Sequence, residues 1–443
     1  MFVQDKTFSK RCIMKIAVVG SGISGMASAW LLARRHQVTL FEADSRLGGH
    51  SNTVDVTLDG VTHPVDTGFL VHNDRTYPNL IRLFSLLGVD VHPSDMSFAL
   101  SLQQPDLEWA GTDLAGVFAQ KANLLRPSFW LMLRDILRFN AAAPALLQQV
   151  RGSDTTLQQV LEQGRYSSQF RDWYLLPMAA AIWSSPAAQI LRFPAETFLS
   201  FCLNHALLQV NDRPQWRTVL GGARQYVGKL AAGVQQVHVN TPVQGIWREK
   251  EGVRVLAAGR EHGFDTVVLA CHAPQTLALL QDADPAESRI LGAFSYQPNR
   301  AYLHTDTALL PRREQVWSAW NYLAGKDDNG QQAVCVSYLI NKLQPLPFKQ
   351  PVIVTLNPLQ PPDPAKTIQV IDYQHPLFDT RAIAAQGALA SIQGNRRTWF
   401  CGAWGGYGFH EDGLKSALRV VNGLGVMAPW QGADAVAPVA EMA

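Results

Sequence analysis

Charge is scarce in this chain and nearly balanced. Charged residues make up 17% of the 443 positions and leave a formal net charge of +2. Such a balance, with no basic stripe, excludes the electrostatic footprint of a nucleic-acid-binding protein. Apolar runs of about 20 residues, which a membrane-spanning helix needs, are also missing. The N-terminus has no apolar signal-peptide core, so we expect a cytoplasmic protein.

Cysteine is equally sparse. The five cysteines are odd in number and scattered, at Cys12, Cys202, Cys271, Cys335 and Cys401. This spacing predicts neither a disulfide framework nor a metal site. Each cysteine is most simply a small buried apolar residue in a reducing compartment.

The first informative motif follows a short apolar strand that begins at Lys15. Gly20, Gly22 and Gly25 form a Gly-x-Gly-x-x-Gly turn that opens a predicted helix. The first two glycines allow a tight turn and close approach to a pyrophosphate, while the third lets the helix pack against the strand. Glu42 ends the next predicted strand, where it can accept hydrogen bonds from ribose hydroxyls. This layout predicts a dinucleotide site rather than a chance glycine turn.

A second motif lies just beyond Glu42. Arg46 is followed by Gly48 and Gly49, an Arg-x-Gly-Gly spacing that an NAD site does not need. An extended flavin dinucleotide is approached from this side too, because the arginine offers charge and the glycines offer bare backbone N–H groups. The motif favours FAD and makes an NAD-dependent dehydrogenase the least favoured function. An ordinary glycine turn with a surface arginine is the simpler alternative.

With these motifs, the chain resembles the FAD-containing amine oxidase superfamily, which includes monoamine and polyamine oxidases, protoporphyrinogen oxidase and carotenoid desaturases. A late strand ending at Gly402, followed by a turn and a helix, adds to the likeness. Within the superfamily, the chain is most similar to bacterial flavoproteins found beside cyclopropane-fatty-acid-synthase-like methyltransferases. The phrases typical of that subgroup lie at residues 65–73, 270–273, 296–300, 341–344 and 408–413.

The resemblance implies an α/β fold, with a Rossmann-like FAD-binding domain assembled from discontinuous segments and a mixed α+β substrate domain. We expect the first substrate segment to be rich in helices and the second to be rich in strands. The expected boundaries are FAD-binding segments at 14–80, 215–274 and 371–430, substrate segments at 81–214 and 275–370, and tails at 1–13 and 431–443.

The resemblance also implies where FAD is contacted, and it implies non-covalent binding. The expected contacts come from the two dinucleotide motifs, the turn after Asp66, one adenine contact and the C-terminal helix. They are Gly20, Ser21, Gly22, Ile23, Ser24, Gly25, Glu42, Ala43, Arg46, Gly48, Gly49, His50, Thr67, Gly68, Phe69, Val243, Gly402, Glu411, Asp412 and Leu414. Ala403 stands where many relatives carry an acid or a threonine, so we expect the backbone or another group to contact the ribityl chain there.

Flavin accepts the hydride itself, so catalytic side chains are hard to recognise. The polar groups expected near the ring are His72, His410 and Glu411. Glu411 and Asp412 can equally cap the C-terminal helix, and His72 can be a satisfied loop histidine. His410 stands where amine oxidases place a tyrosine of their aromatic cage, and a charged imidazole is a poor wall for a cationic amine. Lys342 is more simply a surface residue than a lysine beside the flavin.

One unusual helix is predicted over residues 121–140. Its apolar stripe is formed by Phe129, Met132, Leu133, Ile136 and Leu137, widened by Trp130, Leu131 and Phe139, and its flanking cations are Lys121, Arg126, Arg134 and Arg138. Such a helix can lie on anionic lipid, which would make the protein peripheral to the inner membrane. A substrate-domain helix packed on both sides is the favoured interpretation.

Three functions stay open at this point. The leading hypothesis is an FAD-dependent oxidoreductase that takes a hydride from a fatty acyl chain, by desaturation or by double-bond migration. The second is an amine oxidase with an altered cage, which His410 opposes. The third is a non-catalytic FAD-bound protein that assists a lipid methyltransferase. The resemblance suggests such a methyltransferase as the protein partner of this chain. The third would need no polar residues near the ring.

Overall fold

The structure is a computed structural model, and it describes residues 13–183, 190–209, 213–326 and 332–431. The expected tails, at 1–13 and 431–443, lie almost entirely outside these ranges, as does Cys12. Within the ranges, none of the helices combines the length and hydropathy that a membrane span requires.

The strands of the described residues are numbered in chain order. They are β1 (Lys15–Val19), β2 (Gln37–Phe41), β3 (Thr53–Leu58), β4 (Val61–Asp66), β5 (His72–Asn73), β6 (Val91–Pro93), β7 (Phe98–Leu102), β8 (Leu107–Ala110), β9 (Trp216–Val219), β10 (Gln236–His238), β11 (Val243–Arg248), β12 (Val253–Ala257), β13 (Arg260–Phe264), β14 (Thr266–Leu269), β15 (Ser295–His304), β16 (Trp320–Lys326), β17 (Gln332–Leu339), β18 (Ile353–Leu356), β19 (Thr367–Leu377) and β20 (Thr398–Phe400).

The helices of these residues are numbered in the same way. They are α1 (Ile23–Leu32), α2 (Pro78–Leu87), α3 (Leu114–Val117), α4 (Pro127–Val150), α5 (Leu157–Gln163), α6 (Ser168–Phe170), α7 (Leu176–Trp183), α8 (Ala195–Asn204), α9 (Arg224–Ala231), α10 (Ala273–Leu279), α11 (Pro285–Leu291), α12 (Ile340–Leu343), α13 (Thr380–Ala388) and α14 (His410–Gly423).

A parallel five-stranded sheet, in the order β10-β2-β1-β14-β20, forms the first half of the fold. Its central strand is buried on both faces: Ile16 and Val18 join one core, while Ala17 and Val19 join the other. This split follows from the alternation of side chains along a strand. Helices α1, α2, α9 and α14 cover one face, and the β11-β12-β13 sheet with α10, α11 and α13 covers the other. The Rossmann-like α/β fold class is confirmed.

A seven-stranded sheet, in the order β19-β15-β18-β17-β16-β7-β8, forms the second half. Its neighbouring strands are antiparallel except for β16 and β7, which are parallel. Helices α4 to α8 pack on this sheet around a continuous core of apolar side chains. Two smaller assemblies, the β3-β4 hairpin and the β5-β9-β6 sheet, lie at the junction of the halves.

Two expected boundaries cut through regular elements and are corrected. The boundary at 370/371 divides β19, which pairs with β15 from Thr367 to Leu377. Most residues of β19 are exposed or half-buried, so the strand carries only a weak apolar alternation, at Ile371, Tyr373 and Leu377. The boundary at 80/81 divides α2, whose Leu80 and Leu83 pack in the core beneath the five-stranded sheet. Strand β19 therefore belongs wholly to the second half, and α2 belongs wholly to the first half.

The helix predicted over residues 121–140 differs from the observed one in its bounds and in its packing. A 3-10 turn spans Lys121–Leu125, and the α-helix begins at Pro127, where proline suits the first turn. The helix then continues to Val150, past Pro144. Its Phe129 and Met132 are buried as predicted, but Leu137 is 61% exposed. The helix is therefore packed on one face rather than on both.

Candidate functional site

A cavity of about 720 Å³ lies where the two halves meet. We divide most of its lining residues into two sides and name each side after its typical residues. The glycine side is lined by Gly20, Ser21, Gly22, Ile23, Ser24, Glu42, Ala43, Gly48, Gly49, His50, Thr241, Val243, Cys271, His272 and Gln275. The aromatic side is lined by Val71, Tyr77, Met96, Ile182, Phe201, Leu207, Trp216, Trp320, Tyr338, Leu356, Phe378, Tyr407 and Phe409. The rest of the wall includes Gly68, Phe69, His205, Tyr296, Tyr373, Gln374, His375, Gly402, Trp404 and His410.

The N-terminus of α1 faces the glycine side. Gly20 has a φ of +97°, which a glycine adopts without strain. A Cβ on Gly25 would lie 1.8 Å from the Gly20 carbonyl oxygen, whereas a Cβ on Gly22 would meet no atom within 4 Å. The helix has neither a side-chain cap nor an acidic residue in its first turn. Its first N–H groups are therefore available to an anion such as a pyrophosphate.

The carboxylate of Glu42 lies beside this turn. Its Oε2 accepts hydrogen bonds from the Ser21 N–H at 2.8 Å and from the Ser21 hydroxyl at 2.6 Å. Its Oε1 accepts a bond from the Asp44 N–H at 2.9 Å. A carboxylate has about four lone-pair sites and three are in use, so Glu42 keeps capacity for about one ribose hydroxyl. This geometry fits the predicted dinucleotide.

The second glycine turn contacts the first. A Cβ on Gly49 would lie 3.2 Å from the Gly22 Cα atom, so the two turns form one backbone cradle. Arg46 does not line the cavity as expected; its Nη1 donates to the Gly49 carbonyl oxygen at 2.7 Å. It also forms a 3.7 Å ion pair with Asp44. Arg46 therefore braces the turn from behind.

Most of the predicted FAD contacts line the cavity, and some do not. The predicted residues outside the lining are Gly25, Arg46, Thr67, Glu411, Asp412 and Leu414. Gly25 and Leu414 are packing positions, and the Thr67 hydroxyl bonds the Asn52 carbonyl oxygen and the Tyr373 hydroxyl. Gly402 does line the cavity, but its N–H already donates to the Ser416 hydroxyl at 2.9 Å. The Gly402 N–H is therefore not available to the ribityl chain, and the contact expected next to Ala403 stays a prediction.

The two acids that begin α14 have structural roles, which corrects their assignment to the ring. Glu411 is 3% exposed, and its carboxylate accepts bonds from both nitrogens of Asn79 and from the Leu80 N–H, where it caps α2. Asp412 accepts bonds from the N–H groups of Tyr407 and Phe409. Burial raises the pKa of both carboxyls. Neither acid faces the cavity.

The two candidate catalytic histidines differ in position. His72 is 1% exposed, outside the lining, and packed near Phe69. His410 lines the cavity and stacks on Phe69 with 3.7 Å between ring centroids, while its Nε2 bonds the hydroxyls of Ser51 and Tyr226. Burial lowers the pKa of His72 to about 4 and that of His410 to about 3. Because His410 is neutral at pH 7, its charge cannot be what opposes an amine.

A wall of histidine and tyrosine rings adjoins His50, a predicted FAD contact, but its members Tyr373 and His375 were not recognised in the sequence. His50 stacks on Tyr373 at 4.9 Å between centroids, His375 lies 5.3 Å from His50, and His272 stacks on Tyr296 at 4.2 Å. Burial lowers the pKa of His375 to about 4 and lowers those of His50 and His272. His50 Nε2 and His272 Nδ1 are buried with no hydrogen-bond partner among the described residues, which fits a bound polar group. The i, i+2 spacing of Tyr373 and His375 was the available signal.

The aromatic side is apolar and carries no charge. Of all residues that line the cavity in the described part of the chain, Glu42 is the one carboxylate, and no lysine or arginine is among them. Glu42 belongs to the glycine side. A cation bound against the aromatic side would therefore find ring faces but no counter-ion.

Residues 341–344, one of the segments typical of the subgroup, join the two halves through Gln344. Gln344 accepts a bond from the Asp66 N–H at 3.0 Å and donates to Asp66 Oδ2 at 2.8 Å. Asp66 also accepts bonds from the Ala223 N–H at the start of α9. Burial raises the pKa of Asp66 to about 6. Lys342 is exposed, as expected, and forms a 3.7 Å ion pair with Asp95.

Comparison with known proteins gives a family match and several relatives. Residues 23–343 match the model of the family described as flavin containing amine oxidoreductase. The carotenoid phi-ring synthase of Streptomyces griseus is 34% identical over 149 residues, which are 31% of this chain and 27% of that protein. The L-amino-acid oxidase of Pseudechis australis is 38% identical over 73 residues, 16% of this chain and 14% of that protein. The chain thus spans about a quarter or less of these relatives.

Solved structures share the fold over nearly the whole chain. The CLA-producing fatty acid isomerase from P. acnes has a TM-score of 0.63 at 15% identity, covering 93% of this chain and 99% of that one. Wild-type putrescine oxidase bound to putrescine has a TM-score of 0.65 at 17% identity, with the same two coverages. At such identities the likeness establishes the fold alone.

Proposed function

Because the chain belongs to the flavin containing amine oxidoreductase family and is therefore an FAD-dependent oxidoreductase, we propose that it binds FAD non-covalently and takes a hydride from a fatty acyl chain. When bound, FAD supplies the hydride acceptor. The observation that carries the proposal is the absence of lysine, arginine and carboxylate from the aromatic side, within the described residues. Desaturation and double-bond migration are both compatible with this lining.

Non-covalent binding is supported by the cysteines near the cavity. Cys271 lines the cavity, but its thiol donates to the Val19 carbonyl oxygen at 3.3 Å, and burial raises its pKa to about 12. Cys401 is fully buried against the Ser28 hydroxyl. Neither thiol is ionised at neutral pH, and a covalent thioether needs a thiolate nucleophile. We therefore expect FAD to be released on denaturation.

The acyl substrate is supported by the cost of burying charge. A protonated amine that enters an apolar cavity loses its hydration, and only a buried partner offsets that cost. An acyl chain gains free energy from the same surroundings, at about 25 cal/mol per Å² of apolar surface removed from water. The fatty acid isomerase among the structural neighbours is consistent with this substrate class.

The neutral histidines separate the two possible reactions. Desaturation removes a hydride from one carbon and a proton from the next, so it needs a base. His50 Nε2, which has no partner among the described residues, is a nitrogen available to accept that proton, and His375 lies beside it. Double-bond migration returns the hydride to the chain and needs no base. Loss of activity in a His50→Phe variant that still binds FAD would favour desaturation.

A second candidate is an amine oxidase, and one observation favours it. Trp216, Trp320, Tyr338 and Tyr407 line the aromatic side, and the faces of such rings attract cations even without a carboxylate. His410 does not complete a cage here, because Phe69 covers one of its faces.

Anaerobic absorbance spectra of the purified protein test both candidates. Unsaturated phospholipid, its methyl-branched derivative, free unsaturated fatty acid and putrescine would be added in turn, and lipid products would be analysed afterwards. We expect acyl compounds to bleach the flavin, or to be isomerised without lasting bleaching. Bleaching by amines alone would establish the second candidate. Neither bleaching nor product with any compound would contradict an enzymatic role and favour a non-catalytic partner of a methyltransferase.

A further inference from the structure

Large apolar side chains are exposed in a cluster near the start of α4. The described residues include fourteen exposed large apolar side chains, and four of them lie between residues 124 and 137. We call Leu124, Leu125, Trp130 and Leu137 the α4 patch. Leu125 is 87% exposed and Leu137 is 61% exposed, and the Trp130 indole N–H donates to the Leu124 carbonyl oxygen at 3.0 Å. That bond fixes the 3-10 turn and the helix as one surface.

The charges around the α4 patch are positive. Lys121, Arg126, Arg134 and Arg138 lie in or beside the same 3-10 turn and helix and are exposed or half-buried. Asp135 is the acid within α4; its side chain is fully buried and forms ion pairs with Arg134 and Arg138. Four cations against this one acid leave an excess of three positive charges. Asp106, which accepts a bond from Arg126 through its backbone oxygen, has its carboxylate paired with Arg312.

The opposite face of α4 is already used. Phe129, Met132 and Phe139 are fully buried in the core of the second half. The outward face, at Trp130, Arg134 and Leu137, follows the i, i+4, i+7 spacing of one helix side. A tryptophan, leucines and arginines on the exposed side of a helix are the composition of helices that lie in a lipid interface.

From this surface we propose that the α4 patch docks on anionic lipid, with its leucines and Trp130 in the interface and its cations at the headgroups. A protein partner would be expected to meet a rim of mixed charge, whereas this rim carries a positive excess. Helix α4 packs against α8, which contributes Phe201 to the aromatic side of the cavity. Docking would thus bring lipid within one helix layer of the cavity, but the proposal stands without the proposed function.

Vesicle binding of the FAD-loaded protein tests the proposal. Phosphatidylcholine vesicles with or without about a third phosphatidylglycerol would be pelleted with the protein at low and high salt. We expect binding to the anionic vesicles only, weakened by salt. Replacing both Leu125 and Leu137 by serine should reduce binding at least about tenfold, because two side chains no longer enter the interface. Lys121→Gln and Arg126→Gln should each reduce it about fivefold.

Leu86→Ser is the matched control, because Leu86 is 50% exposed but lies on α2, away from the patch. Its binding should equal that of the wild type, and all variants should keep their flavin spectrum and thermal stability. Equal binding to neutral and anionic vesicles, or unchanged binding of the double leucine variant, would overturn the proposal. A wild-type dimer that the leucine substitutions dissociate, without vesicle binding, would assign the patch to a second copy of the chain. Binding is scored without turnover, so failure of the proposed function would leave this result untouched.

Discussion

The glycine side of the cavity is formed largely by backbone, mostly from residues 19–50, whereas the aromatic side is formed by side chains from both halves. On the glycine side, a Cβ at Gly22 would enter open space, whereas a Cβ at Gly20 or Gly49 would meet neighbouring backbone. On the aromatic side, rings such as Phe201 and Phe409, which stack at 4.9 Å, fill and shape it. A backbone cradle can be altered little without losing its ligand, while a wall of side chains can change its substrate by single substitutions. We therefore propose that the glycine side holds the cofactor and that the aromatic side sets specificity.

The largest effect should come from closing the glycine side. Gly25→Ala would place a Cβ 1.8 Å from the Gly20 oxygen, so we expect a loss of about 3 kcal/mol or more in unfolding free energy, together with loss of flavin. Gly22→Ala is the control, because its Cβ meets no protein atom within 4 Å. It should keep wild-type stability but bind less flavin. Urea unfolding measures the stability of both variants, and the flavin-to-protein ratio measures their flavin content. A full flavin content in Gly22→Ala would contradict the placing of the cofactor on the glycine side.

A charge on the aromatic side should separate substrate from cofactor. Met96 lines that side and is only partly buried. Met96→Glu should slow flavin reduction by acyl substrate about 100-fold, since a bound acyl chain would have to desolvate the new carboxylate. Flavin content should not change, and Met96→Leu should behave like the wild type. Equal rates in all three proteins would show that substrate binds elsewhere.

The buried His410 should make the free energy of unfolding depend on pH. The pKa of His410 is about 3 in the folded protein and near 6.5 when unfolded, so the unfolded state binds more protons in that window. Stability is therefore lost as pH falls below about 6.5. In the His410→Asn variant, the slope of unfolding free energy against pH should be smaller by up to about 1.4 kcal/mol per pH unit. This difference corresponds to the uptake of one proton on unfolding. Urea titrations between pH 7 and pH 5 give the slope; an unchanged slope would contradict a neutral, buried His410.

A smaller effect is expected at the junction of the halves. Gln344→Ala would leave the Asp66 N–H and its Oδ2 without the partner they have now. We expect a loss of about 1–3 kcal/mol in unfolding free energy. Differential scanning calorimetry would show whether the halves then unfold separately. Wild-type stability would mean that Gln344 does not hold them together.

The smallest effect is expected two residues earlier. Lys342 is exposed, and its one ion pair, with Asp95, is 3.7 Å long. Lys342→Ala should change stability by less than about 0.5 kcal/mol and leave flavin reduction unaltered. It is also the control for Gln344→Ala. A large fall in the rate of flavin reduction would place this lysine in the chemistry after all.

Sequence reasoning succeeded where structure is local. Gly20, Gly22 and Glu42 lie within one strand-turn-helix-strand unit, so their spacing alone encodes the cradle and with it the α/β fold. It failed where the partner is distant. Glu411 looks like a candidate beside the ring until Asn79, 332 positions away, accounts for its carboxylate.

Burial is the second reason for the misses. The charge state of His410 depends on its burial, to which Phe69 from another part of the chain contributes by stacking on the imidazole ring. The strand β19 is mostly exposed or half-buried and has only a weak apolar period, so Tyr373 and His375 were assigned to no wall of the site. Likewise, an apolar stripe on α4 cannot reveal from sequence that Leu137 points away from the core.

The central claim is that the aromatic side accepts an uncharged chain, and paired ligands test it most directly. A methyl ester and a primary amine with the same unsaturated chain would be titrated into the FAD-loaded protein, with binding followed by the change in flavin absorbance. Desolvation of the ammonium group without a counter-ion predicts that the ester binds at least about tenfold more tightly than the amine. Equal or tighter binding of the amine would contradict the account.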